Sequence, residues 1–183
     1  SKTMMQYADY FLDIVIVDAT YKRNRFNLPL VNVIGVNNFG HNIMLAFGLF
    51  SNETLDSYTW FFGELKKAWK GKNPLNFVID GSETMKKGKI LMKHCLIIIG
   101  ITANFRSRIV LCGWHIQKNF VSRFSKLKKL DANIYNKILA LPFIINEEAF
   151  EDTLEEIDDC ENVTDAQIDY LDKKLKNYGL NVF

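Results

Sequence analysis

The run Ile14-Val15-Ile16-Val17 ends on Asp18 and constrains this chain more than any other feature. Consecutive β-branched residues are stiff at χ1 and favour strand, and an uninterrupted apolar run reads as a strand buried at the centre of a sheet. Asn76-Phe77-Val78-Ile79 repeats the pattern and ends on Asp80. Two acid-tipped strands limit the fold to a sheet in which both carboxylates lie at strand ends.

The remaining elements follow in order. Leu30 to Val36 and Ile43 to Phe50 read as further strands, with Asn37-Asn38-Phe39-Gly40 as a turn between them. Together with the first run they form an antiparallel meander, with Lys22 to Asn27 as a polar turn region. The period then changes. Asn52 is expected to cap a helix through Leu55, Leu65 and Trp69 that must stop by Gly71, and Trp60-Phe61-Phe62 within it reads as core. Ser82 is expected to cap a basic helix through Lys86, Lys87, Lys89 and Lys93. The stretch 96–109 fits helix or strand, and Arg108 to Cys112 reads as a fifth strand. Helices are expected over 115–129, 131–140, 146–159 and 164–178.

This order defines an α/β fold of the ribonuclease H-like type. It has a mixed sheet of five strands, a three-strand antiparallel meander followed by alternating helix and strand, and a C-terminal helical segment. Asp18 and Asp80 would end parallel neighbours at its centre, and ligands of open α/β sheets sit beyond the carboxyl ends of the strands.

The 183 residues suffice for one domain with an appended segment; 48% are hydrophobic and 13% aromatic, which excludes a disordered or fibrous chain. The longest apolar run, Cys95 to Ala103, is far shorter than the ~18–20 residues of a membrane span. No secretory signal is read at Ser1 to Asp9, and three irregularly spaced cysteines make no disulfide framework, so a reducing compartment fits. Charge is uneven. Residues 1–145 hold 20 Lys/Arg against 9 Asp/Glu, whereas residues 146–183 hold 3 against 12. A basic body of this kind suits a polyanion, or is only a set of solvated faces.

Two carboxylates at neighbouring strand ends can share Mg²⁺ or Mn²⁺, which prefer carboxylate and water oxygen. Each aspartate alone reads equally as a turn or helix cap. Cys112-Gly113-Trp114-His115 offers half of a zinc site, a Cys–His nucleophile pair, or simply a strand end leading into a helix. Lys22, Arg23 and Arg25 follow Asp18, and Lys86, Lys87, Lys89 and Lys93 follow Asp80. With Lys118, Arg123, Lys126, Lys128 and Lys129, they are candidate phosphate contacts or solvated faces.

Asp18-Ala19-Thr20-Tyr21-Lys22, Asn27-Leu28-Pro29-Leu30, Ser57-Tyr58-Thr59-Trp60, Val78-Ile79-Asp80 and Leu111-Cys112-Gly113-Trp114-His115-Ile116-Gln117-Lys118-Asn119, in that order, resemble the MULE transposase domain. The resemblance covers about residues 9–120. That domain is the catalytic core of Mutator-like DNA transposases and is similar to one in plant far-red-response transcription factors. It implies a ribonuclease H-like fold with a D-D-E metal triad that cuts and joins DNA at terminal inverted repeats using Mg²⁺ or Mn²⁺. Asp18 then resembles the first acid and Asp80 the second, while Cys112 and His115 resemble the C-x-x-H motif implicated in DNA handling.

The third acid has no counterpart on this resemblance. Glu147, Glu148 and Glu151 fall in the family's helical insertion, and none is assigned the role. Expected, therefore, are a core over 1–120 and an insertion over 121–183, the chain stopping in or just after it, with no zinc-finger module upstream. The expected function is that of a transposase core, inactive without its third acid, with DNA as partner in the nucleus, a possible homo-oligomer in the full-length protein and no membrane association. A domesticated DNA-binding or transcription-regulating domain is the alternative, and a ribonuclease H-like nuclease unconnected with transposition a third.

Overall fold

The computed structural model describes residues 1–20, 24–80, 85–86, 89–90 and 93–177, the backbone alone at 85–86, 89–90, 93–95 and 176–177. They divide into two compact units, Ser1–Val110 and Leu111–Phe183.

In the first unit, β1 (Ile14–Thr20), β2 (Leu30–Val36) and β3 (Asn42–Leu49) form the expected antiparallel meander. The turn before β3 is built by Asn37, whose Oδ1 accepts from the N–H groups of Phe39 at 3.0 Å and His41 at 2.9 Å, and by Gly40 at φ 77°. The next sheet strand, β4 (Asn76–Ile79), lies parallel to β1, with Val15 beside Phe77 and Val17 beside Ile79. The five-strand order is β3-β2-β1-β4-β7, where β7 is Arg108–Leu111. An α/β architecture with a mixed five-stranded sheet is therefore present, and β1 lies at its centre.

Between β3 and β4 runs α2 (Leu55–Ala68). Its cap is Thr54, whose Oγ1 accepts from Ser57 N at 3.2 Å; Asn52, the expected cap, instead accepts from Ser57 Oγ at 3.1 Å. The helix stops where Lys70 and Gly71 turn to φ 54° and 79°. After β4, Met85–Lys86 (β5) and Lys89–Ile90 (β6) pair as a two-residue antiparallel ladder, Lys86 opposite Lys89. This corrects the expected basic helix. Gly88 interrupts the lysines, and glycine costs a helix interior about 1 kcal/mol. The proposed cap, Ser82, lies outside the described residues. Helix α3 begins only at Lys93 and runs to Asn104, resolving the ambiguous stretch.

The face of the sheet bearing Val15, Val17, Val31, Val33, Phe77 and Ile79 is buried. It packs on α2 through Phe62, whose ring meets those of Phe61, Phe77 and Phe105 edge-on at 5.4, 6.2 and 6.5 Å. Tyr58 lies in the same layer; burial and then the Glu53 charge raise the pKa of its phenol, which donates to Glu53 Oε1 at 3.1 Å. Trp60 departs from expectation at 65% exposure. Three consecutive helical residues span about 200° of arc, so one of them must leave a face that Phe61 and Phe62 occupy.

One element had no expectation attached: α1 (Lys2–Tyr10), capped by Ser1 Oγ accepting from Met4 N at 3.3 Å. It is held by buried Ala8 and by Asp9, whose carboxylate accepts from Lys72 Nζ at 2.7 Å. That hydrogen bond, with Lys70 nearby, keeps the Asp9 carboxyl below its ordinary range despite some desolvation.

The second unit is helical: α4 (Gly113–Arg123), α5 (Leu127–Leu130), α6 (Ala132–Ala140), a 3-10 turn (Leu141–Phe143), α7 (Glu147–Asp158) and α8 (Asp165–Asn177). The single helix expected over 115–129 is thus broken. A tight turn, Leu127 N to Phe124 O at 2.9 Å, lets Phe124 and Leu127 enter one core with Phe120, Ile138, Leu141, Ile157 and Leu171. Asp131 and Asn146 cap α6 and α7, and Lys137 forms an ion pair with Glu156 between them.

Candidate functional site

Asp18 and Asp80 are placed by backbone register. The last parallel pair is Val17 with Ile79; Asp18 follows within β1, which runs on to Thr20 rather than ending at the acid as expected, and Asp80 follows directly after β4. Because side chains alternate across a strand and Val17 points into the core, Asp18 lies on the opposite face of β1. Asp18 pairs with Asn32 across β2, and its Oδ2 accepts from Thr20 Oγ1 at 3.0 Å. Both aspartates are half-buried, open enough for exchange with solvent. No set of three His, Cys, Asp or Glu residues suited to a metal ion occurs among the described residues.

The basic residues are placed unevenly. Arg25 is exposed at the β1–β2 connection, its guanidinium 4.5 Å from the centroid of the Phe26 ring. Lys22, Arg23 and Lys87 lie outside the described residues, and Lys86 is described only as a backbone position in β5. In the second unit Lys118 is exposed, its ammonium 4.9 Å from the ring centroid of Trp114.

Cys112 opens α4. Its carbonyl accepts from His115 N at 3.0 Å and Ile116 N at 3.2 Å, while its side chain makes no capping bond. The His115 ring meets Trp114 edge-on at 4.7 Å. Gly113 is required there by close approach, since a Cβ would fall 3.0 Å from the Phe143 ring and 3.3 Å from Pro142 O. The C-x-x-H pair is therefore a helix start that fixes one His and one thiol on the first turn of α4. The described cysteines, Cys112 and Cys160, carry free thiols.

Phe26 went unread in the sequence, inside a stretch taken only as a polar turn. Nothing in the sequence itself marked the ring as exposed.

A mixed α/β sheet with one acid inside the C-terminal half of β1 and another just past the parallel β4, followed by a C-x-x-H helix start, defines a class. Residues 14–119 match the MULE transposase domain, and the chain belongs to that family. Protein FAR1-RELATED SEQUENCE 5 of Arabidopsis thaliana is 28% identical over 124 residues, covering 68% of this chain and 14% of that protein. FAR1-RELATED SEQUENCE 6 of the same plant is 35% identical over 74 residues, 39% of this chain and 10% of that protein. FAR-RED IMPAIRED RESPONSE 1 is 27% identical over 127 residues, 69% of this chain and 14% of that protein. The chain thus spans a seventh or less of the length of these relatives.

Proposed function

We propose that this chain is the ribonuclease H-like core of a Mutator-like transposase, built to hold DNA strands against a divalent metal site. The observation that carries the reading is that Asp18 and Asp80 each directly follow the last paired residues, Val17 and Ile79, of the parallel β1–β4 pair in a sheet ordered β3-β2-β1-β4-β7. Two half-buried carboxylates supply hard oxygen donors of the kind Mg²⁺ and Mn²⁺ take. When bound, such ions activate a water or 3′-hydroxyl and stabilise the leaving oxygen of a phosphodiester. Asp18 and Asp80 hold the metal, and the Asp18 carboxylate is oriented by Thr20. Arg25, with Lys22, Arg23, Lys86, Lys87 and Lys118, holds the phosphate backbone of terminal-repeat and target DNA.

On this reading the family core is 1–120 and the helical insertion 121–183, the protein works in the nucleus, and the full-length protein is an oligomer. No helix among the described residues is long and apolar enough to cross a membrane. A third carboxylate is needed to complete the triad, so we expect this chain by itself to bind metal without transferring strands.

Titration with Mn²⁺, read as loss of the free-ion electron paramagnetic resonance signal, tests the site. Asp18→Asn and Asp80→Asn should each weaken binding about ten-fold or more, while Asp13→Asn, outside β1, should leave it unchanged; a ten-fold loss corresponds to about 1.4 kcal/mol. Equal affinity in all three would remove the metal role. Mg²⁺-dependent DNA cleavage by this chain, abolished in Asp18→Asn, would instead reveal an unrecognised third acid.

A second reading has its own support. The relatives are named for a far-red response, and among the described residues no third metal-binding side chain joins the two aspartates. A transposase-derived domain that binds DNA and regulates transcription without catalysis fits both facts. Either reading requires phosphate contacts, so duplex affinity should fall at least about ten-fold between ~50 and ~200 mM salt. A flat response in a fluorescence-anisotropy titration would sink both.

A further inference from the structure

The β1–β2 connection leaves the sheet at the edge where Asp18 and Asp80 lie. One side chain organises its described part. Asn24 Oδ1 accepts from Phe26 N at 3.1 Å and Leu28 N at 3.2 Å, and Asn24 Nδ2 donates to Leu28 O at 2.6 Å. Asn27 sits at φ 55°, a left-handed conformation that asparagine tolerates, and its N–H donates to Asn24 O at 3.0 Å. The loop so fixed points Phe26 outward at 61% exposure, with the Arg25 guanidinium over its ring.

A phenyl ring left in water contributes nothing to folding, and here a network of local hydrogen bonds maintains it there. Its loop neighbours Asn24, Arg25 and Asn27 are polar, and the described contact on its ring is the Arg25 guanidinium. A single π-face beside a guanidinium matches the chemistry of a nucleic-acid strand, in which flat bases alternate with phosphates.

We infer that Phe26 and Arg25 form a stacking platform for an unpaired base of the DNA strand held at the Asp18–Asp80 edge. The guanidinium occupies one face of the ring and is also placed to meet a backbone phosphate; the opposite face takes the base. Because every base has a π-face, the platform selects single-stranded over paired nucleotides rather than one sequence over another. This inference rests on the DNA-handling role proposed above and adds to it a strand-state preference and a residue that carries it.

The test compares a labelled blunt duplex with the same duplex bearing a short single-stranded overhang, by fluorescence anisotropy on the full chain. The unsubstituted chain should favour the overhang by about ten-fold, within the range for loss of one stacked base. Phe26→Ala should abolish that preference with blunt-duplex affinity unchanged. Arg25→Gln should weaken both substrates. Phe26→Trp should keep the preference, and its added fluorescence should be quenched by the overhang substrate alone. Retention of the preference in Phe26→Ala or Phe26→Leu would overturn the inference. So would an unsubstituted chain that binds both DNAs equally, which leaves the DNA-handling role standing. Binding to neither DNA overturns both together.

Discussion

Phe62→Ala should destabilise the first unit by about 3–5 kcal/mol, the range for truncating a fully buried aromatic. Phe62 has no solvent exposure and joins α2 to the sheet through Phe77 and to the α3 end through Phe105. Three edge-on ring contacts are lost at once, and the cavity is lined by rings whose backbones are anchored in a strand and a helix, so it closes only partly. Urea unfolding should show a lower midpoint with an unchanged slope. A loss below about 1 kcal/mol would mean that the aromatic layer repacks and is not the unit's keystone.

Gly100→Val probes the same contact from the other side and should cost about 3 kcal/mol, the upper end for forcing volume into a packed core. A Cβ at Gly100 would lie 2.9 Å from Phe62 Cδ2 and 3.1 Å from both the carbonyl carbon and Cβ of Tyr58. The Phe62 ring can move; the Tyr58 backbone, inside α2, cannot. At an unconstrained helix position replacing glycine by alanine would gain about 1 kcal/mol, so the presence of glycine here reflects the distance between α2 and α3. The double variant Phe62→Ala/Gly100→Val should be less destabilised than the sum of the two, with a coupling of about 0.5–3 kcal/mol. Strict additivity in the same urea series would show that the clash lies wholly with Tyr58.

These contacts mark where the sequence was legible and where it was not. The strands could be read because β-branched runs alternate with turn residues, and their pairing followed from short connections. The position of Asp80 just past β4 could be read because it follows an apolar run, whereas Asp18, expected to end its strand, lies inside β1 because pairing with β2 continues through Ala19 and Thr20. Trp60 could not be placed, since an apolar triplet on a helix does not say which member faces out. Helix α1 was missed although Lys2, Met4, Met5, Gln6 and Ala8 favour a helix, because nine residues with one buried position carry little apolar periodicity; Ala8 and the Asp9–Lys72 bond hold it in place. The lysine segment after Asp80 was misread because its composition fits a helix, whereas Met85–Lys86 and Lys89–Ile90 pair as a ladder. The role of Phe26 was illegible because exposure depends on hydrogen bonds made by Asn24, two residues away.

The parallel pairing of β1 with β4 has a kinetic meaning as well. Its partners, such as Ile14 and Asn76, lie about sixty positions apart in the chain, whereas the meander pairs near neighbours. Closing that loop is entropically the slower step, so hairpins can form while the two aspartates are still separated. A partly folded chain would then show strand signal by circular dichroism yet hold its carboxylates apart. On the metal role proposed for Asp18 and Asp80, manganese uptake during refolding would serve as a clock for the arrival of β4, and its lag behind the strand signal would measure how late the aspartate pair is assembled.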